Sequence, residues 1–190
     1  MIQTLYPPFR HWSAQGTIWL YSDTHFGDQE LKQGIPTRPD DETHVGLINQ
    51  KCGRKDTLIL LGDVGEVEYV RKLRGYKILI CGNHDLGRSI YEAVFDEVYA
   101  GPLFISPRIL LSHEPVGLPF AFNIHGHDHM NKERDPFHMN VCSDVIGYSP
   151  VNFNQIIKSG RLSGIPTIHR VTIDEAAERA NTRQVSPDLE

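Results

Sequence analysis

The sequence predicts a layered α/β domain, on three observations. Short apolar runs of the kind found in strands that are covered on both faces recur along the chain. Helix-compatible segments lie between these runs, and strands that alternate with helices are typical of α/β layering. Clusters of polar residues follow several of the runs directly. In open α/β sheets, ligands bind at the carboxyl ends of the strands, where these clusters lie.

Five short apolar runs are predicted as the central strands. Several of them are continuous rather than alternating, which favours strands buried on both faces. Two later segments are predicted as strands that pair at a sheet edge. The central strands are expected over 17–21, 57–61, 77–81, 109–111 and 120–124, and the later ones over 137–145 and 167–173.

One helix has clear boundary signals in the sequence. Asp40 is a suitable N-cap, Val45, Leu47 and Ile48 form an apolar stripe, and the helix is expected to end before Gly53. A surface helix that frays into a tail is predicted near the C-terminus, where the chain becomes charged and polar. This tail is expected over 175–190, and shorter helices over 67–73, 89–95 and 154–158.

Size and composition describe one ordinary folded domain, which we expect to span residues 1–174. The chain has 190 residues, enough to bury a core, and 39% of them are hydrophobic while 23% are charged. The net charge of −5 disfavours a dedicated nucleic-acid binder, which usually carries a basic stripe. It leaves room for an enzyme that handles nucleotides through metal ions.

Cysteine usage and hydropathy predict a soluble cytoplasmic protein with no membrane partner. The three cysteines form no CxxC pair, and Cys81 stands inside an apolar run, so it is expected to be a buried free thiol. Free thiols fit a reducing compartment. No apolar segment approaches the roughly 18 residues that a membrane span needs. Polar residues and prolines occupy the N-terminus, where a signal peptide would be apolar.

Seven side chains in the polar clusters are candidate metal ligands. They comprise two carboxylates, one amide oxygen and four imidazoles, a mixture of nitrogen and hard oxygen that suits Mn²⁺, Fe or Zn²⁺. Seven ligands are too many for one tetrahedral ion but fit two ions that share a carboxylate. Two ions about 3.5–4 Å apart are a common device for hydrolysing phosphate esters. The seven candidates are Asp23, His25, Asp63, Asn83, His113, His127 and His129.

Two pairs of these candidates are spaced two residues apart. Asp23 and His25 form one pair, and His127 and His129 form the other. In an extended backbone, residues at i and i+2 point to the same side. The spacing therefore predicts that each pair holds a metal from one face.

The candidate ligands lie in five short motifs. They read Asp23-Thr24-His25, Gly62-Asp63, Gly82-Asn83-His84-Asp85, His113 and Gly126-His127-Asp128-His129. Taken together, these motifs strongly resemble those of the calcineurin-like metallophosphoesterase superfamily, and all five occur in the superfamily's order. The resemblance implies a sandwich of two mixed β-sheets flanked by helices, with a dinuclear metal site on loops at the strand ends.

The resemblance also implies a role for each motif residue. The first metal would be held by Asp23, His25 and His129. The second would be held by Asn83, His113 and His127, with Asp63 bridging both ions. Mn²⁺ is the expected metal, with Fe, Zn²⁺ and Ni²⁺ as alternatives. His84 would contact the scissile phosphate and protonate the leaving oxygen, for which its ordinary pKa of about 6.5 is suitable. Asp85 is expected to anchor the loop, with orientation of His84 as the alternative.

Two further features of the sequence indicate which members of the superfamily it resembles and which it does not. The chain is short, and its sequence after the last motif looks like that of small bacterial or phage members of the superfamily. The features in question are Asn140-Val141, Asp144 and the segment 147–151. The Ser/Thr protein phosphatases carry an arginine shortly after the bridging aspartate. This chain has none in the segment Gly62–Glu68, which argues against a protein phosphatase.

Several residues in or near the motifs are expected to have structural rather than functional roles. His125 is expected in the core or behind the ligands rather than on a metal, and Asp128 is expected to point away from the site. His11 and His138 are interpreted as surface residues, although either could reach the mouth of the site. Two further surface assignments are His44, on the exposed side of its helix, and Arg88, at a helix start.

The leading hypothesis for function is a metal-dependent phosphodiesterase that acts on cyclic nucleotides or other small diesters. No inserted cap domain is evident that would enclose a small monoester. A nuclease is the alternative within the enzyme class, with the basic cluster at 71–77 as its binding track. A non-catalytic scaffold that binds other proteins is the alternative of another class. The retained Asp63, Asn83 and His84 argue against that scaffold, and the oligomeric state stays open.

Overall fold

The computed structural model describes residues 3–4, 11–12, 16–132, 135–166 and 168–184. The strands are β1 (Gln3–Thr4), β2 (Ile18–Tyr21), β3 (Thr57–Leu60), β4 (Tyr76–Ile80), β5 (Glu97–Tyr99), β6 (Leu103–Ser106), β7 (Ile109–Leu111), β8 (Phe122–His125), β9 (His138–Asn140) and β10 (Val151–Asn152). The helices are α1 (Gln29–Gly34), α2 (Asp41–Lys51), α3 (Val67–Val70), α4 (Arg88–Tyr91), α5 (Phe153–Lys158) and α6 (Ile168–Gln184).

The described strands form two five-stranded sheets, and both sheets are mixed. The first has the order β1-β6-β7-β8-β9, in which only the β6–β7 pair is antiparallel. The second has the order β10-β2-β3-β4-β5, in which only the β10–β2 pair is antiparallel. The prediction of an α/β fold with two mixed sheets and helices is therefore confirmed.

The main hydrophobic core lies between the two sheets. Side chains alternate along each strand, so Ile18 and Leu20 of β2 face this core together with Leu111 of β7 and Ile124 of β8. The other face of the β2–β5 sheet packs against helices α2, α3 and α4, where Ile48 of α2 is fully buried. The strands β2, β3 and β4 are covered on both faces, which explains their continuous apolar sequences.

The five predicted central strands all exist, within one or two residues of their expected ends. The structure adds short strands that the sequence interpretation omitted, among them β5, β6 and β10. The predicted strand over 167–173 is wrong, because residues from Ile168 onward belong to helix α6. A run of strong helix formers follows Asp174, and helix propagation is cooperative, so the β-branched residues before it become helical.

The C-terminal helix begins earlier than predicted. The surface helix was expected from 175, whereas α6 runs from Ile168 to Gln184, and its described side chains from 172 to 182 are exposed. The predicted strand over 137–145 reduces to the three residues of β9. Residues 185–190 of the predicted tail lie outside the described residues.

Helix α2 has the predicted cap but not the predicted exposed face. The Asp40 side chain accepts a hydrogen bond from the Thr43 amide, as an N-cap residue does. The prediction that His44 is exposed is wrong, because His44 is 1% exposed and its Nε2 lies 2.6 Å from the Tyr21 hydroxyl. That hydroxyl supplies the polar partner that a buried imidazole needs.

Among the described residues, no helix combines the length and the apolar character that a membrane crossing requires.

Candidate metal centre

The seven predicted ligands lie in loops that follow the carboxyl ends of five strands. Strands β2, β3 and β4 are parallel neighbours in one sheet, and β7 and β8 are parallel neighbours in the other. Their carboxyl ends therefore meet along one rim of the sandwich, as ligand sites in α/β proteins do. The loops after these strands bring together Asp23, His25, Asp63, Asn83, His113, His127 and His129.

A first group of ligand atoms is formed by four of these residues. The Nε2 atom of His25 lies 3.9 Å from Oδ1 of Asp23 and 3.6 Å from Oδ2 of Asp63. The Nε2 atom of His129 lies 3.6 Å from the same Asp23 oxygen. Ligands about 2.0–2.2 Å from a common ion stand at such separations from one another. The first group could therefore hold one cation.

A second group of ligand atoms lies on the other side of Asp63. The Nε2 atom of His113 lies 3.3 Å from Oδ2 of Asp63 and 2.8 Å from Oδ1 of Asn83. The Nδ1 atom of His127 lies 3.1 Å from each of these partners, Asn83 Oδ1 and His113 Nε2. The same carboxylate oxygen, Oδ2 of Asp63, thus belongs to both groups.

Two buried atoms in the first group have the surroundings of metal-ligand atoms. Oδ1 of Asp23 and Nε2 of His25 are buried, and neither has a hydrogen-bond partner among the described residues. Buried polar atoms in proteins are normally paired, and an orphaned carboxylate oxygen that faces imidazole nitrogens is costly unless a cation satisfies it. The residues present therefore fit divalent metal ions held by nitrogen and oxygen.

The electrostatics favour the protonation state that a ligand needs at His25 and at Asp63, whereas His113 favours the protonated ring. Burial lowers the pKa of His25, which keeps its ring neutral at neutral pH. Burial alone would raise the pKa of Asp63, but hydrogen bonds with His113 and from the His84 amide outweigh it and keep the pKa low. For His113, burial opposes the attraction of Asp63, and the attraction prevails, with a pKa of about 8 in the absence of a cation. The shared Asp63 carboxylate is ionised and carries its charge into a buried site.

Backbone conformations that are rare for non-glycine residues concentrate at these ligands. The φ angles are +58° at Asp23, +42° at His25, +51° at Asp63 and +66° at His127, and the other such residue in the described chain is Tyr148. Non-glycine residues in this region cost of order 1–3 kcal/mol each and cluster at functional sites. The strain at these loops is an independent sign of a site.

The same backbone conformations contradict the prediction that the two spaced pairs are extended. The spacing predicted extended pairs that each hold one metal, but Asp23, His25 and His127 are left-handed rather than extended. His127 and His129 consequently diverge, with His127 in the second group and His129 in the first. The division is the one that the resemblance implied. Asp23 and His25 share one group, as their spacing predicted, whereas the prediction is wrong for His127 and His129 and for the extended backbone.

Glycines allow the loops to approach one another closely. A side chain on Gly62 would meet the Cα of Gly82 at 2.6 Å, and Gly62 has a φ of +88°. A side chain on Gly126 would meet the Ser22 and Asp23 side chains. Only glycine fits at such contacts, which place the Asp63, Asn83 and His127 loops within ligand distance.

A buried layer behind the first group orients it. Oδ2 of Asp144 lies 2.7 Å from Nδ1 of His129 and also accepts a hydrogen bond from Arg38. Arg38 is itself buried and donates to the carbonyl oxygens of Asp23 and Thr24, the latter at 2.7 Å. A carboxylate on the far nitrogen of a ligand histidine fixes the ring orientation and its tautomer. No sequence pattern predicted a role for Arg38, and Asp144 was predicted only as part of the subgroup pattern.

The motif around His84 separates an anchor from an exposed imidazole. The Asp85 carboxylate accepts hydrogen bonds from the amides of Asp63 at 3.0 Å, Val64 at 2.8 Å and Gly82 at 2.7 Å. It ties two ligand loops together, as the anchor assignment predicted. The His84 side chain is exposed, and its ring centre lies 5.7 Å from that of His25.

The remaining assignments have mixed outcomes. His125 is buried, with its ring beside that of His138, and Asp128 bonds the amides of the loop residues after it. These two predictions are confirmed. Arg88 is exposed at the start of α4 and pairs with Glu92, also as predicted. The surface assignment is right for His11 and wrong for His138, which is buried and bonded to Asp135.

One cysteine, Cys81, differs from the sequence expectation. Cys81 was expected to be buried and is instead half-buried, because it stands just beyond the end of β4. Cys142 is buried with its sulfur 3.6 Å from Nδ1 of His129, and Asp23 lies close by. Burial raises the pKa of the Cys142 thiol, which therefore stays neutral.

The comparisons with known proteins bear on the fold. No protein-family model matches the chain, and no curated protein matches it. Among solved structures, it is similar to the protein of unknown function AQ665 from Aquifex aeolicus. The two are 26% identical with a TM-score of 0.65, over 75% of this chain and 98% of the other. The likeness supports a shared fold, and function has to be argued from the site.

Proposed function

We propose that this protein is a metal-dependent phosphoesterase of the calcineurin-like superfamily, with that superfamily's four-layer fold. The observation that carries the proposal is the pair of ligand groups that share Oδ2 of Asp63. Two divalent ions held so would supply an activated water and would offset charge on the phosphoryl oxygens. Mn²⁺ is the proposed metal because the donor set mixes imidazole nitrogen with carboxylate and amide oxygen.

The protein's own groups complete the proposed chemistry. The oxygen of a water molecule bonds to phosphorus, the bond from phosphorus to the leaving oxygen breaks, and the leaving oxygen needs a proton. His84 is exposed at the rim of the first group, beside His25, and an imidazole placed there can donate that proton. Asp85 fixes the loop on which His84 stands.

The basic cluster over 71–77, which precedes and begins β4, bears on the substrate. Within the basic cluster proposed as a nucleic-acid track, Lys72 pairs with Glu42, and Arg74 contacts Asn49 on helix α2. These contacts indicate that the basic cluster is a solvated surface of the α2–α3 region. We therefore propose small phosphodiesters, rather than DNA or RNA, as the substrates.

The test compares bis(p-nitrophenyl) phosphate with p-nitrophenyl phosphate on metal-stripped protein, with and without Mn²⁺. The proposal requires Mn²⁺-dependent cleavage with the diester preferred. Preference for the monoester would retain the metal site and reject the substrate class. Absence of cleavage with Mn²⁺, Fe²⁺, Zn²⁺ and Ni²⁺ would reject the enzyme and favour a scaffold. The matched control is Asp63→Asn, which lacks the shared carboxylate.

A further inference from the structure

A cavity of about 240 Å³ opens beside the second ligand group. It lies between the two sheets, where the chain crosses from β5 of one sheet to β6 of the other. Asn83 and His113 form the wall toward the ligand group, and residues 100–102 of the crossover form part of another wall. A concave site that adjoins reactive groups is the usual place for a part of the substrate.

The cavity and the proposed proton donor lie at different ends of the site. His84 stands near His25, which belongs to the first group. The described residues that line the cavity include ligands of the second group only. A leaving oxygen protonated by His84 would therefore be directed away from the cavity. The part of the substrate that reaches the cavity is then the ester group that stays on phosphorus.

The lining determines which ester group fits. Among the described lining residues there is no lysine or arginine, and Glu114 is the one carboxylate. The rest of the wall is small or apolar, with Cys81, Ala100, Pro102 and Val116 among its members. Pockets for drug-sized ligands begin at about 300 Å³, so this cavity suits a smaller group. An anionic group would be repelled by the Glu114 carboxylate, and no lysine or arginine of the described lining would attract it.

We propose that this cavity binds the non-leaving substituent of a phosphodiester and that it selects a small alkylammonium group. The proposal rests on the proposed function and adds a reason for it, because a monoester has no second substituent to place there. A positively charged group would be attracted by Glu114, while its carbon atoms would contact the apolar wall.

Three p-nitrophenyl diesters with the same leaving group test the selection. Their non-leaving groups are choline, the isosteric but uncharged 3,3-dimethylbutyl group, and methyl. We expect kcat/KM to rise from methyl to dimethylbutyl because the cavity is filled. A further increase of about threefold is expected for choline, the scale of an exposed ion pair. Glu114→Gln should remove the choline advantage and leave the dimethylbutyl-to-methyl ratio.

Gly101→Leu tests occupancy of the cavity. A Cβ on Gly101 would meet no atom within 4 Å, so leucine causes no clash at Cβ, and because Gly101 lines the cavity we expect the leucine to narrow it. The choline-to-methyl ratio of kcat/KM should fall at least tenfold. Gly34→Leu is the matched control, because Gly34 is equally open but lies at the end of α1, away from the cavity.

Alkylation of Cys81 reports on the cavity without any enzyme activity. Cys81 lines the cavity and is half-buried, whereas Cys52 and Cys142 are buried. Iodoacetamide is applied at pH 9, and the modified peptide is followed by mass spectrometry. Gly101→Leu should slow alkylation at least fivefold in metal-free protein, and Gly34→Leu should leave the rate unchanged.

The outcomes separate the two proposals. If none of the diesters is cleaved with metal present, the proposed function fails, and the alkylation result still decides whether Gly101→Leu fills the cavity. If diesters are cleaved but the ratios among the three substrates are unchanged in Gly101→Leu while Cys81 is protected, the cavity is filled and does not bind the substituent. That result, or a preference for dimethylbutyl over choline, overturns the inference.

Discussion

The Oδ2 atom of Asp144 lies 2.7 Å from Nδ1 of His129, on the opposite side of the ring from Nε2, which faces Asp23. The carboxylate therefore directs one ring nitrogen toward the first ligand group. Burial would raise the pKa of Asp144, but its hydrogen bonds and Arg38 lower that pKa to about 2, so Asp144 is ionised at neutral pH. The pair behaves as an orienting carboxylate and a ligand histidine do in metalloproteins.

Asp144→Asn should weaken Mn²⁺ binding at the first group about 10–100-fold, the usual effect of removing such a partner. Binding to the metal-free protein is measured by isothermal titration calorimetry, and thermal unfolding of the same samples shows that each variant is folded. Asp135→Asn is the control, because it removes the carboxylate from the similar Asp135–His138 pair outside the site. Unchanged binding in Asp144→Asn would contradict the orienting role.

Asp63→Ala and His127→Ala should differ in the number of ions retained. Oδ2 of Asp63 belongs to both ligand groups, whereas His127 belongs only to the second. We expect Asp63→Ala to retain neither Mn²⁺ ion and His127→Ala to retain one after gel filtration, as measured by elemental analysis. In wild type, Mn²⁺ at 100 times its Kd should stabilise the fold by about 2.7 kcal/mol. Equal ion content in the two variants would contradict the assignment of Asp63 to both metal ions.

His84→Ala should retain both ions and lose rate on substrates with poor leaving groups. His84 is exposed and donates its backbone amide, not its ring, to Asp63. A general acid contributes about 10²- to 10⁴-fold, and less where the leaving group needs no proton. The measurement is kcat for alkyl against p-nitrophenyl diesters, with metal content determined in parallel. Loss of metal in His84→Ala would show that the ring is a ligand.

His44 should make stability depend on pH between about 6.5 and 4. Burial lowers its pKa to about 4, from an ordinary 6.5, so the unfolded chain binds a proton that the folded chain excludes. The part of the free energy of unfolding that depends on His44 is fully present above pH 6.5 and is lost as the pH falls toward 4. The total loss is about 3 kcal/mol.

The measurement for His44 is urea unfolding of metal-free protein from pH 7 to pH 4.5. The comparison is with His44→Gln, whose amide can accept the Tyr21 hydroxyl and which does not titrate. Stability of the wild type should fall about 2–3 kcal/mol more than that of the variant. Parallel pH profiles for the two proteins would reject the assignment.

The sequence predicted the parts of this structure that depend on local patterns. The buried strands are continuous apolar runs, and the ligands follow them directly, so their convergence at the strand ends could be expected from α/β topology. Strand β6 was also within reach, since Leu103, Phe104 and Ile105 are a short apolar run before the turn at Pro107. Strand and helix signals are ambiguous in so few residues, so the run alone does not predict a strand.

What the sequence did not predict depends on contacts between distant segments. Arg38 stands alone in a polar loop, and its importance comes from Asp144, more than 100 residues later, and from two carbonyl groups. His44 looked like an exposed helix residue until Tyr21 supplied a buried partner. The left-handed backbone at Asp23 and His127 is imposed by the packing of loops, and nothing in the local sequence demands it.

Each ligand group draws side chains from both sheets, and this has a consequence for how the protein opens. Asp23, His25, Asp63 and Asn83 follow strands of the β2–β5 sheet, while His113, His127 and His129 follow β7 and β8 of the other. A bound ion would therefore cross-link the two sheets at one end of their shared core. Metal loading should slow amide hydrogen exchange in β7 and β8 as much as in β2, because the halves could no longer separate independently.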